Sequence, residues 1–165
     1  MSRTVPDRMT HDYDGELVVF LIGMRVNQPW RPDLWLPVFG AMPRMLAELS
    51  RDPDSGLLGY RLVVGAGGPS VVQYWSSKEK LYAYASNPEQ QHRPAWTAFN
   101  RRARRSPGAV GIWHETYVVE RAESIYVGVP PMGLAAATAS TPVGRRRERA
   151  GQRLAREPER AVTLA

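Results

Sequence analysis

The sequence predicts an α+β fold in which an antiparallel sheet carries helices on one face. Three observations point to it. Residues 16–26, ELVVFLIGMRV, form a strand pattern that is apolar on both alternating sides. Residues 57–64 and 71–75 flank the turn Gly65-Ala66-Gly67-Gly68-Pro69 and read as a hairpin. Segments with helical spacing fall between the first strand and the hairpin, and again between the hairpin and a last strand.

Residues 1–14 are polar and read as a flexible lead-in to a domain spanning 15–134. In the first strand Val18, Phe20, Ile22 and Met24 take one side, and Leu17, Val19 and Leu21 the other, so both sides need cover. Trp35, Val38, Phe39, Met42, Met45, Leu46 and Leu49 follow at helical spacing. Pro43 interrupts that series at a cost of about 3 kcal/mol, which predicts a kink or two shorter helices. Ser76-Ser77 with Glu79 is a cap signal for a short helix through Lys80, Leu81, Tyr82 and Tyr84.

Asn87, Pro88 and Gln90 read as a further helix start, with Glu89 favouring the dipole of the first turn. From there His92, Ala95, Trp96, Phe99 and Ala103 share an apolar stripe, and Pro94 implies a kink or a restart just after His92. The turn Ser106-Pro107-Gly108 leads into a strand over residues 109–119, with Val110, Ile112, His114, Thr116 and Val118 on one face. Residues 124–129 are a candidate short fifth strand, closed by Pro130-Pro131. The resulting order matches the split β-α-β unit of a ferredoxin-like domain. Helices cover one face of such a sheet. A second copy on the other would explain the doubly apolar first strand and give a homodimer with a barrel-like centre.

Composition narrows the function classes. Hydrophobic content of 43% against 23% charged residues is that of a globular domain. Cysteine is absent, which excludes disulfides, thiolate metal sites and a thiol nucleophile. No apolar run approaches the roughly 20 residues of a membrane span, and the N-terminus lacks a signal-peptide core, so a cytoplasmic protein is expected. The net charge of +6 is concentrated in residues 145–160, whose seven arginines and three glutamates leave only +2 for the rest. That distribution argues against nucleic acid as a partner and makes residues 135–165 an Ala/Arg-rich tail, disordered or partly helical. There is no P-loop, no glycine fingerprint after a strand, no HExxH and no nucleophile elbow.

The candidate chemistry centres on His92 and His114, which lie on either side of one reverse connection. Imidazole is a proton carrier near neutrality and a common metal ligand. Arg25, on an otherwise apolar strand, has the planar fork to orient an anion. Trp75, Trp96 and Trp113 can line an aromatic cavity. Each also has a purely structural reading: a hydrogen-bonded core histidine, a strand histidine at a dimer interface, an arginine capping a strand end, and tryptophans serving the core. His11, in the polar lead-in, is assigned no role.

The junction VVQYWSSKEKLYAYA and the following NPEQQHRPAWTAFN resemble the dimeric α/β-barrel superfamily. That superfamily includes antibiotic-biosynthesis monooxygenases, haem-degrading enzymes and aldoxime dehydratases. The phrases FLIGMRVNQPW, LPVFGAMPRML, DPDSGLLG, QYW and GIWHETY look like the monooxygenase family within it, over residues 14–134. The resemblance to aldoxime dehydratases implies His92 as proximal haem ligand and His114, in the phrase His114-Glu115, as the distal acid or base; Trp96 and Glu115 are further candidates, for cofactor binding and for catalysis. Three functions follow as expectations: an oxidoreductase of the monooxygenase type acting on a small organic substrate, with or without haem; a haem-dependent lyase dehydrating an aldoxime; or a non-catalytic small-molecule-binding or stress-response module.

Overall fold

The computed structural model describes residues 4–155. In chain order these form β1 (Met9–Asp12), β2 (Leu17–Val26), α1 (Pro32–Phe39), α2 (Ala41–Arg51), β3 (Leu57–Gly65) and β4 (Gly68–Trp75). Then come α3 (Lys78–Ser86), α4 (His92–Arg105), β5 (Val110–Val119), α5 (Leu134–Ala137), β6 (Ala139–Pro142) and α6 (Ala150–Leu154), with a single 3-10 turn at Arg145–Arg147. They fall into two compact units, one of residues 15–118 and one joining residues 4–14 to 119–155.

The first unit holds a four-stranded sheet in the order β3-β4-β2-β5, an antiparallel ferredoxin-like arrangement. Val18 pairs with Trp75 and Ile22 with Val71 across β2 and β4, while Leu62 pairs with Val71 and Gly65 with Gly68 across the hairpin. A bulge between Leu57 and Gly59 shifts the register of β3. Val18 and Trp75 lie fully buried against Met45 and Leu49 of α2 and Leu81 and Tyr84 of α3. The Trp75 indole N–H donates to Gln73 Oε1 at 2.9 Å, so the one polar atom of that ring is satisfied inside the core.

Each element ends for a visible reason. The helical segment after β2 breaks in two as expected, at Gly40 and not at Pro43, which sits in the first turn of α2 where a missing N–H costs nothing. Ser77 caps α3 by accepting from the Lys80 backbone N–H at 3.1 Å. Asn87 does not open α4. Its own N–H bonds the carbonyls of Ala83 and Tyr84 to close α3, and its side chain accepts from Glu89 N–H in a local turn. The helix starts instead at His92, which puts Pro94 in its first turn and removes the expected kink. Gly23 lies under Trp113 on the sheet face away from the helices, where a Cβ would fall 2.5 Å from the indole.

The second unit corrects the reading of both chain ends. Residues 9–12, expected as lead-in, form β1 and pair antiparallel with β6, Met9 opposite Pro142 and Asp12 opposite Ala139. Residues 124–129 are not a strand; among the described residues only the bridges Met9 to Tyr126 and Val5 to Val129 form there. The segment read as a tail contributes α5, β6 and α6 as far as residue 155, and residues 156–165 lie outside the described part. Arg153, nearly buried, pairs with Glu123 and donates to the carbonyls of Arg147 and Glu148. His11 is also engaged: Nδ1 lies 2.8 Å from Ser124 Oγ. Burial and the Arg147 charge hold its imidazole below the ordinary value, against the opposing pull of Asp12 and Glu123.

Candidate functional site

Between the helix-covered face of the sheet and helices α1, α2 and α4 lies a cavity of about 1020 Å³. That is at the upper end of ligand-pocket volumes. Its floor is the even-numbered side of β2, with Phe20, Ile22 and Met24, and the matching side of β5, with Ile112, His114 and Thr116. Met42 and Met45 come from α2, and Trp96 and Phe99 from α4.

His92 lines this cavity from the first position of α4. Its Nδ1 lies 2.8 Å from the carbonyl oxygen of Ala85. A carbonyl can only accept, so Nδ1 carries the hydrogen and Nε2 of the neutral ring keeps its lone pair. Backbone anchoring of this kind fixes both tautomer and ring orientation. Trp96, one turn on, stacks on Phe99 with ring centroids 5.5 Å apart. His114 projects from the middle of β5, its ring centroid 5.6 Å from that of Phe20 on β2.

The start of α4 is held by Glu48 of α2. Its Oε2 accepts from Tyr84 Oη at 2.9 Å and from Gln91 N–H, the residue before His92, at 3.1 Å. Burial, then the hydrogen bond to Glu48, raise the Tyr84 phenol far above its ordinary value of 10.0. Above that ordinary value the unfolded chain loses the phenolic proton while the folded one keeps it. Stability is therefore complete below about pH 10 and falls as pH rises further. Tyr84→Phe should cost about 1 kcal/mol at neutral pH and flatten this alkaline loss, read from urea midpoints between pH 7 and 11.

Arg25 and Glu115 are not brought to the cavity. Strand alternation turns both to the opposite face of the sheet. There Arg25 Nε donates to Asn27 Oδ1 at 3.1 Å, and Glu115 accepts from Tyr117 Oη at 2.7 Å, which raises the Tyr117 phenol. Trp75 belongs to the core, and Trp113 lies with Glu115 on the far face. The structure thus groups His92, Trp96 and His114. Sequence reasoning missed Glu48, whose role depends on a tertiary contact. It also missed Arg102, which continues the stripe of His92, Trp96 and Phe99 by another three-residue step and lines the cavity.

The model of the family described as monooxygenase af470-like matches residues 17–134. The chain belongs to that family. This monooxygenase af470-like chain is 29% identical over 134 residues to "Monooxygenase af470" of Aspergillus fumigatus, an alignment covering 72% of this chain and 45% of that protein. The chain therefore spans about half the length of the curated relative it matches. Among solved structures it resembles an aldoxime dehydratase in complex with butyraldoxime, at 18% identity and a TM-score of 0.59, over 79% of this chain and 40% of the other. It also matches a cofactor-independent oxygenase from Streptomyces nogalater at 14% identity and a TM-score of 0.45, over 65% and 96%. At such identities the likeness is one of fold. No helix among the described residues of this family member is long and apolar enough to cross a membrane.

Proposed function

We propose that this chain is an oxidoreductase of the monooxygenase type, acting on a small organic substrate held in the cavity of residues 15–118. The observation that carries this reading is one roomy, largely apolar hollow lined by two imidazoles, His92 and His114. Family membership supports it. In this reading the apolar walls hold the hydrocarbon body of the substrate and Trp96 and Phe99 orient it, while His114 takes up or returns a proton at the reacting atom. The protein works as a homodimer, the second copy covering the sheet face that exposes Trp113 and Tyr117. Arg25 and Glu115 then serve that interface.

The residues fit a haem held through a single histidine. Among the described residues no group of three or more metal-ligating side chains comes together, but His92 offers Nε2 from a ring already fixed by Ala85. A bound haem would supply redox and Lewis-acid chemistry at its iron. The same donor pattern favours a second reading, a haem-dependent lyase of the aldoxime dehydratase type with His114 as the acid or base.

The test is a hemin titration followed by absorption spectroscopy, then two assays. Oxygen uptake with a panel of oxidisable phenols supports the monooxygenase reading. Nitrile formed from simple aldoximes under reducing conditions supports the lyase. A Soret band lost in His92→Ala shows ligation by that ring. His114→Ala should lower whichever activity is found by about 10² to 10⁴. Absence of both activities, with and without hemin, sinks the enzyme reading and leaves a binding module.

A further inference from the structure

The cavity holding His92 and His114 has charged walls of one sign. Among the described residues its lining contains no aspartate or glutamate, and its full charges are Arg44 of α2 and Arg102 of α4. Arg44 is exposed and Arg102 partly buried. Among the described residues neither guanidinium has a hydrogen bond or an ion pair. Arg153 shows the contrast: its buried fork is filled by Glu123 and two carbonyls. A guanidinium drawn out of water beside apolar walls costs free energy unless an anion meets it, and its planar fork suits a carboxylate or sulfonate. Arg102 stands on the same stripe of α4 as His92, ten residues along, which is about 15 Å of helix.

We propose that the cavity takes an organic anion, its apolar body lying along α4 between the imidazoles and Arg102 and its anionic group on the Arg102 fork. Arg44 adds to the positive field. This assignment rests on the cavity being the substrate site, and it names the substrate class. The same carboxylate chemistry has two sources, a substrate's own acid group or a haem propionate, and the experiment separates them.

The full-length protein is titrated with 8-anilinonaphthalene-1-sulfonate and with N-phenyl-1-naphthylamine, the same apolar body without the sulfonate. The sulfonate should bind the more tightly. Arg102→Gln should weaken it about tenfold or more and leave the neutral amine within about twofold. Arg102→Lys should restore part of the loss. Arg101→Gln, an exposed neighbour absent from the cavity lining, should change neither. Circular dichroism reports whether each variant is folded.

Equal affinity for the two probes, or equal weakening of both by Arg102→Gln, overturns the assignment. If the neutral amine binds and the sulfonate does not, the cavity reading stands and the anion assignment falls. If neither binds, both fall. Hemin and its dimethyl ester form the second arm. Weakening of hemin but not of its ester by Arg102→Gln assigns the anion to a propionate; weakening of the sulfonate with hemin unchanged assigns it to the substrate.

Discussion

Trp75→Ala is expected to remove about 3 to 5 kcal/mol of stability, a large fraction of the roughly 5 to 15 kcal/mol that a typical domain possesses. Trp75 is 1% exposed and packs with Val18 beside it on the neighbouring strand β2 and with Met45, Leu49, Leu81 and Tyr84 of the helices over it. Truncation opens a cavity that these five neighbours cannot close, because they are fixed on three different elements, β2, α2 and α3. It also strips Gln73 Oε1 of the N–H it accepts from. Trp75→Phe separates the two effects. It keeps most of the volume and should cost about 1 to 3 kcal/mol, chiefly for the buried amide oxygen left unpaired. Denaturant midpoints by far-ultraviolet circular dichroism measure both. A loss below about 1 kcal/mol in Trp75→Ala would show that the sheet does not pack on α2 and α3 as described.

The second large effect is expected at Gly68, the first residue of β4. Its φ of +103° lies in the region that side chains avoid, and a Cβ there would sit 2.2 Å from the backbone oxygen of Met24. That obstacle is main chain in the middle of the sheet and cannot swing away. Gly68→Ala should therefore cost about 2 to 4 kcal/mol, combining backbone strain with overpacking. Gly67→Ala, one residue earlier with nothing within 4 Å of its Cβ, is the matched control and should shift the midpoint little. Similar midpoints for the two variants would contradict the register of the hairpin against β2.

The strands of the central sheet were legible because β2 is apolar on both sides and the hairpin is punctuated by glycine, signals that depend on neighbours in sequence. The start of α4 was misplaced by four residues because Asn87 uses the same side-chain oxygen in a turn as it would in a cap. What separates the cases is whether the next backbone N–H groups continue into a helix. The pairing of β1 with β6 left no local trace: MTHD has no apolar alternation, and its partner lies near the other end of the chain. At the site, the stripe of α4 foretold that His92 and Trp96 share a face. Alternation along β5 turns Glu115 away from His114, and along β2 turns Arg25 away from Met24, which the reading of Glu115 and Arg25 as site residues overlooked. Which stripe would border a hollow is a tertiary property, so Arg102 and Glu48 emerge only with the helices in place.

The β1–β6 ribbon sets an order of events during synthesis. Residues 9–12 are translated about 130 residues before their strand partners at 139–142. Until then the edge of β1 that faces β6 stands without its mate, and it can be zipped only after residues 15–118 have already been made. A chain truncated before position 139 should consequently show fast amide exchange at Thr10, whose neighbour across the ribbon is Thr141, and the chain that extends past Pro142 should show it slowed.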